Sequence, residues 1–165
     1  MSVNDFTLTK EYLHQIFEYK DGCLFWKITK KKIKAGSKVG ALGSNGYLST
    51  NIQKKRYLLH RLIFLFHHGH LPKLIDHTDG NRFNNNINNL REATFSENIC
   101  NSKLYKSSKS GFKNVYWLKN ANKWAVRLNI NKKRVFLGLF EDIELADLVA
   151  HEARDKYHGK FAKHS

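Results

Sequence analysis

The sequence predicts an α+β chain made of two small modules. Three observations point there. Short runs that suit strands are separated by Asp-Gly, Asn-Gly or Lys-rich turns, the pattern of small antiparallel sheets. Residues 8–18, 60–68 and 143–157 instead place apolar side chains at helical spacing. Residues 102–111 (Ser-Lys-Leu-Tyr-Lys-Ser-Ser-Lys-Ser-Gly) are polar, basic and too poor in apolar groups for a core, so they read as a linker. Domains are therefore expected at 1–101 and 112–165.

The totals narrow the partners. The 165 residues carry 29 Lys and Arg against 14 Asp and Glu, a formal net charge of +15. The basic residues are spread along the whole chain. That suits a polyanion, and nucleic acid is the commonest one. The longest apolar run, residues 62–66, is too short to span a bilayer. Cys23 and Cys100 form no Cys-x-x-Cys pair, which argues against a zinc knuckle and for reduced, structural thiols. Residues 1–7 lack a basic-then-apolar leader, so an intracellular protein without membrane contact is expected.

Each element has its own signal. Leu8, Tyr12, Leu13, Ile16 and Phe17 form the stripe of a first helix over 8–18. Asp21-Gly22 is a turn, and 23–26 a strand. The Lys-rich segment 27–38 has no apolar period and reads as an exposed loop. Residues 47–52 and 56–59 flank a Gln53-Lys54-Lys55 tip as a hairpin. A helix over 60–68, with Leu59, Leu62, Ile63 and Phe66 on one face, is closed by Gly69 and Pro72. A strand at 74–77 enters the turn Asp79-Gly80-Asn81. The asparagines at 84, 85, 86, 88 and 89 favour further turns, because their side chains bond nearby backbone. A short strand is expected next. Thr94 and Ser96 are N-cap candidates for a helix over 97–105. Strands at 115–117, 124–130 and 134–137 follow. Asp142 then caps a helix with the stripe Ile143, Ala146, Val149, Ala153 and Tyr157, stopped by Gly159.

The chemistry concentrates in residues 75–98. Hydrolysis of a phosphodiester needs a base beside the water and a cation on the phosphate. Histidine supplies the base near neutrality, and Asp and Asn oxygens suit Mg²⁺. Asp76, His77 and Asn98 make such a set. Neighbours on a strand point to opposite faces, so one shared site requires the strand to end or twist between Asp76 and His77. By composition alone the same stretch is a polar turn. His67, His68 and His70 offer either a second metal cluster or exposed helix-end histidines.

The ordered set His60-Arg61-Leu62, Ile75-Asp76-His77-Thr78-Asp79-Gly80-Asn81, Asn89-Leu90-Arg91 and Glu97-Asn98 resembles the HNH endonucleases, most closely their phage and intron-encoded homing branch. The resemblance covers about residues 57–101. It implies a ββα-metal core, with His77 as general base and Asn89 bracing the loop and orienting the histidine backbone. It also implies one divalent ion, Mg²⁺ or Mn²⁺, per active site, held by Asp76 and Asn98. The last position of the motif is often histidine in that family and is Asn98 here. Arg61 and Arg91 suit either phosphate contact or surface ion pairs.

In the second module Tyr116, Arg127, Asn129, Arg134 and Phe136 alternate onto one sheet face. Lys113, Lys119, Lys123, Lys132 and Lys133 rim it. The other face is expected to carry Val115, Trp117, Trp124, Val126, Leu128, Ile130, Val135 and Leu137 against the helix. With His158-Gly159-Lys160-Phe161-Ala162, the pattern over about 111–163 resembles the Apetala/ethylene-response-factor-type DNA-binding domain. That resemblance implies a three-stranded sheet in the major groove of double-stranded DNA. The expected activity is site-specific cleavage to 5′-phosphate and 3′-hydroxyl ends, by a monomer or homodimer. A non-catalytic DNA-binding regulator is the alternative, and a structure-directed nuclease with little sequence preference is a third reading.

Overall fold

A computed structural model describes residues 7–30, 32–104 and 107–164. The expectation for the first residues, one position of the Lys-rich loop and two of the linker thus fall outside the described residues. By internal contacts the chain divides into Met1–Ala93 and Thr94–Ser165.

In the first unit, α1 (Lys10–Ile16) begins at Thr9, whose hydroxyl accepts from the Tyr12 N–H at 3.2 Å. The helix is shorter than the stripe over 8–18 suggested. Phe17 is its last apolar position by spacing, yet it opens β1 (Phe17–Lys20). This strand pairs with β2 (Cys23–Trp26) through Asp21 and Gly22, both at positive φ. Cross-strand pairing of Phe17 with Trp26 overrides the local helical period.

A second sheet joins β3 (Ala41–Leu42), β4 (Leu48–Ile52) and β5 (Lys55–Leu58) in that order. Its hairpin tip is two residues, Gln53 and Lys54, both left-handed; Lys55 belongs to the strand and pairs with Ile52. The central helix α2 (Leu59–His68) buries Leu59, Leu62, Ile63 and Phe66 among Leu13, Phe17, Leu24 and Trp26. Gly69 closes it at φ 78°, donating its N–H to the Leu65 carbonyl. Then β6 (Ile75–His77) pairs antiparallel with β7 (Leu90–Glu92) across the Asn-rich loop.

The second unit starts with α3 (Phe95–Cys100). Thr94 caps it, and Glu97 reaches back to the Thr94 N–H. The helix therefore lies earlier than 97–105, and Thr94 rather than Ser96 is the cap. Strands β8 (Val115–Leu118), β9 (Lys123–Ile130) and β10 (Lys133–Phe140) form an antiparallel sheet with β9 in the middle. Helix α4 (Ile143–His158) packs on it; Asp142 accepts from the N–H groups of Glu144 and Leu145. A 3-10 turn (Gly159–Phe161) follows.

Three expectations about faces need correction. The buried line of α4 is Ala146, Ala150 and Arg154, while Tyr157 is 48 % exposed. Arg154 is buried because its Nη1 donates to the Lys113 carbonyl at 2.6 Å, and its Nη2 stands 3.6 Å from Asp147. Trp117 does not join the core: it is 41 % exposed and packs edge-on against Trp124. Finally, β10 runs on past Leu137 because the register shifts between Phe136 and Gly138, which brings Phe140 opposite Trp124.

Candidate active site and basic sheet face

The first candidate site is built on β6 and the loop that returns to β7. The register places Asp76 opposite Arg91 and His77 opposite Leu90. Both Asp76 and His77 are 5 % exposed. Strand β6 ends at His77, whose carbonyl accepts from the Gly80 N–H at 2.8 Å. The two side chains have different surroundings. Asp76 Oδ2 accepts from Arg91 Nε at 2.9 Å and from Nη2 at 2.7 Å. His77 Nε2 stands 3.0 Å from Asn85 Oδ1, and Asn85 is itself buried. An amide oxygen only accepts, so this contact is a hydrogen bond in the tautomer that carries its hydrogen on Nε2.

The asparagines hold the loop as successive side-chain turns. Asp79 accepts from the Asn81 N–H, Asn81 from Phe83, Asn84 from Asn86, and Asn86 from Asn88. Asn89 ties the ends together. Its Oδ1 accepts from the Asp79 N–H at 3.0 Å, and its Nδ2 donates to Asp79 Oδ1 at 2.9 Å and to the Asn84 carbonyl at 2.8 Å. Its own carbonyl accepts from the Thr78 N–H at 2.9 Å. Partial burial pushes the Asp79 carboxyl up. The donors from Asn81, Asn84 and Asn89, with the nearby His77, outweigh that and hold it below its usual value. Hairpin β1–β2 supports the loop from outside: the Ile87 N–H donates to Tyr19 Oη at 3.0 Å. A Cβ on Gly22 would stand 2.8 Å from the Asn86 nitrogen.

Further residues gather around His77 and Tyr47 without a signal in the sequence that links them. Asn85 was one asparagine among many. In the sequence His60 is one member of the ordered set, with nothing to link it to His77. Its ring centroid lies 5.3 Å from that of His77, and Tyr47 lies 5.2 Å from His60. Burial, then the neighbouring His77 and Arg61, pushes the His60 pKa down to about 4, so it is neutral near pH 7. Arg82, exposed in the β6–β7 loop, lays its guanidinium 4.9 Å from the Tyr47 ring centre. The only sequence signal for Arg82 was a basic residue directly after Gly80-Asn81.

The other expected residues lie as follows. Arg61 donates to the carbonyls of Pro72 and Lys73 at 3.1 and 3.4 Å, bracing the approach to β6. Asn98 is half-buried on α3, in the second unit. His70 pairs with Glu92, and that hydrogen bond raises its pKa. Among the described residues, His67, His68 and His70 form no metal-ligating group of three.

In the second unit, Tyr116, Arg127, Arg134 and Phe136 do come together. The Arg127 guanidinium lies 5.1 Å from the Tyr116 ring and 5.8 Å from Phe136, and Arg134 lies 6.0 Å from Tyr116. Asn129 pairs with Arg134 across β9 and β10. Lys119, Lys132 and Lys133 are exposed at the strand ends, and Lys123 pairs with Glu141 at 3.1 Å. The face is not fully open. Tyr116, Arg127, Asn129 and Arg134 line a cavity of about 540 Å³ whose other wall includes Ile99, Cys100 and Leu104. Lys113 reaches across to the carbonyls of Cys100 and Ser102. Burial, then the Arg154 charge, pushes its pKa down to about 8.

The family model described as HNH endonuclease matches residues 57–99. Protein 3.8 of Escherichia phage T7 is 36 % identical over 99 residues, covering 58 % of this chain and 79 % of that protein. No solved structure matches.

Proposed function

The chain belongs to the same family as phage protein 3.8 and carries an HNH endonuclease domain at residues 57–99, and from this we propose that it is a metal-dependent endonuclease acting on double-stranded DNA. The observation that carries the reading is the pair Asp76 and His77, buried at the end of β6 over a loop that Asn89 ties shut.

His77 is the general base. Asn85 orients the imidazole through Nε2, and the ring takes a proton from the attacking water. Asn89 fixes the loop and, through Thr78, the backbone beside the histidine. His60 and Tyr47 pack beside the imidazole, and the neutral His60 adds no charge there. Arg82, stacked on Tyr47, contacts a phosphate.

The donor set suits a hard divalent ion: a buried carboxylate oxygen on Asp76, and an amide oxygen on Asn98. Asn98 joins the proposal on motif order alone. When bound, such an ion supplies positive charge to the scissile phosphate and the departing oxygen. Arg91 pairs with Asp76 Oδ2 and orients the buried carboxylate.

The second unit supplies target affinity through Tyr116, Arg127, Asn129, Arg134 and Phe136, with Lys119, Lys123, Lys132 and Lys133 around them. The finer reading is a site-specific homing enzyme that leaves 5′-phosphate and 3′-hydroxyl ends. One observation favours a second reading, a regulator that binds DNA without cutting: two Arg91 bonds already occupy an oxygen of Asp76.

Cleavage of supercoiled plasmid with Mg²⁺ or Mn²⁺, beside His77→Ala, separates the two. Metal-dependent nicking that His77→Ala abolishes supports the nuclease. DNA binding without cutting by wild type supports the regulator.

A further inference from the structure

The sheet face assigned to DNA is walled in. Tyr116, Arg127, Asn129 and Arg134 line one side of a cavity of about 540 Å³, and Ile99, Cys100 and Leu104 line another. A space of that size holds a small molecule, not a duplex. A sheet that enters a DNA groove must present its side chains directly to the base edges and phosphates. The wall and the duplex therefore compete for one surface.

Lys113 ties the wall down. Its Nζ donates to the Cys100 carbonyl at 2.8 Å and to the Ser102 carbonyl at 2.6 Å. These carbonyls belong to the last residue of α3 and to the second residue beyond it. The helix itself is lightly held. None of its residues is buried, and Phe95 and Ile99 are 72 % and 46 % exposed. A segment with so few buried apolar groups opens at low cost. The closed arrangement also carries penalties of its own. Burial and the Arg154 charge both work against the Lys113 ammonium. Tyr116 Oη is buried with no hydrogen-bond partner among the described residues.

We propose that the chain from Ile99 to Leu104 is an autoinhibitory cover latched by Lys113, and that double-stranded DNA reaches the sheet face only when the latch opens. The inference rests on the reading above that this face meets DNA. The apparent Kd for DNA is then the intrinsic Kd divided by the open fraction, so weakening the latch tightens binding.

The test is a gel-shift titration of the full-length chain with duplex DNA of mixed sequence, in a chelator that prevents cutting. Thiol labelling runs beside it, with Cys100 and Cys23 read separately by peptide mass. Loss of a basic residue ordinarily weakens DNA binding. Lys113→Ala should instead lower the Kd at least about 5-fold. Without DNA it should also speed Cys100 labelling at least about 5-fold and leave Cys23 labelling unchanged. In wild type, saturating duplex should speed Cys100 labelling. Equal or weaker DNA binding by folded Lys113→Ala overturns the proposal. Unchanged or slower Cys100 labelling when wild type binds DNA overturns it even where the variant fails to fold. The double variant Arg127→Ala, Arg134→Ala separates the two levels. If it binds as tightly as wild type, the DNA reading of the face fails and the cover fails with it. If it binds more weakly and Lys113→Ala does too, the cover alone fails.

Discussion

His77 and His60 are adjacent imidazoles given different work by their surroundings. His77 →Ala removes the base and should lower plasmid nicking by at least about 100-fold, read as the initial rate of supercoiled-DNA loss. Arg82→Ala leaves the base intact and should chiefly raise the DNA concentration needed for half-maximal rate. His60 has a folded pKa of about 4 against the ordinary histidine value of 6.5, so the unfolded chain binds more protons between those values. Its contribution to stability is whole above pH 6.5 and falls as the pH drops towards 4. The loss amounts to about 3 kcal/mol. Urea unfolding at pH 7 and pH 4.5 should show that loss in wild type, and His60→Gln should show a smaller pH slope.

At the scale of elements, the active loop depends on a hairpin far from it in sequence. Gly22 sits at φ +77°, and any Cβ there would press on the Asn86 backbone. Gly22→Ala should destabilise the chain by about 1–3 kcal/mol, measured by urea unfolding. It should also slow nicking at full folding, because Asn85 next door holds His77. The helix in the second unit begins at Asp142, and Asp142→Ala should cost about 1 kcal/mol by the same measurement. Loss of nicking in Asp142→Ala at a temperature where it stays folded would contradict a purely structural role for that cap.

Over the whole molecule, charge and the sheet face set DNA affinity. A net charge of +15 predicts steep weakening of DNA binding with salt. The double variant Arg127→Ala, Arg134→Ala should reduce affinity at least about 10-fold in a gel-shift titration. Its nicking rate at saturating DNA should stay near wild type. Equal affinity in both proteins would place DNA binding elsewhere on the chain.

The motif order was legible because the chemistry requires those residue types at close spacing. It put Asp76, His77 and Asn89 forward as candidates, and the caps Thr94 and Asp142 were legible because their causes are local. Alternation along β8, β9 and β10 likewise placed Tyr116, Arg127, Arg134 and Phe136 on one face. What the tertiary structure decided is long-range. Phe17 became a strand residue because Trp26 lies opposite it. The buried stripe of α4 turned to Arg154 because carbonyl and carboxylate partners wait at the ends of its guanidinium. Asn85, His60 and Arg82 joined the site only when separate elements met around His77 and Tyr47. Periodicity and caps are written within a few residues; burial, pairing and the surroundings of a buried imidazole are set by groups on other parts of the chain, 41 positions away for Arg154 and the Lys113 carbonyl.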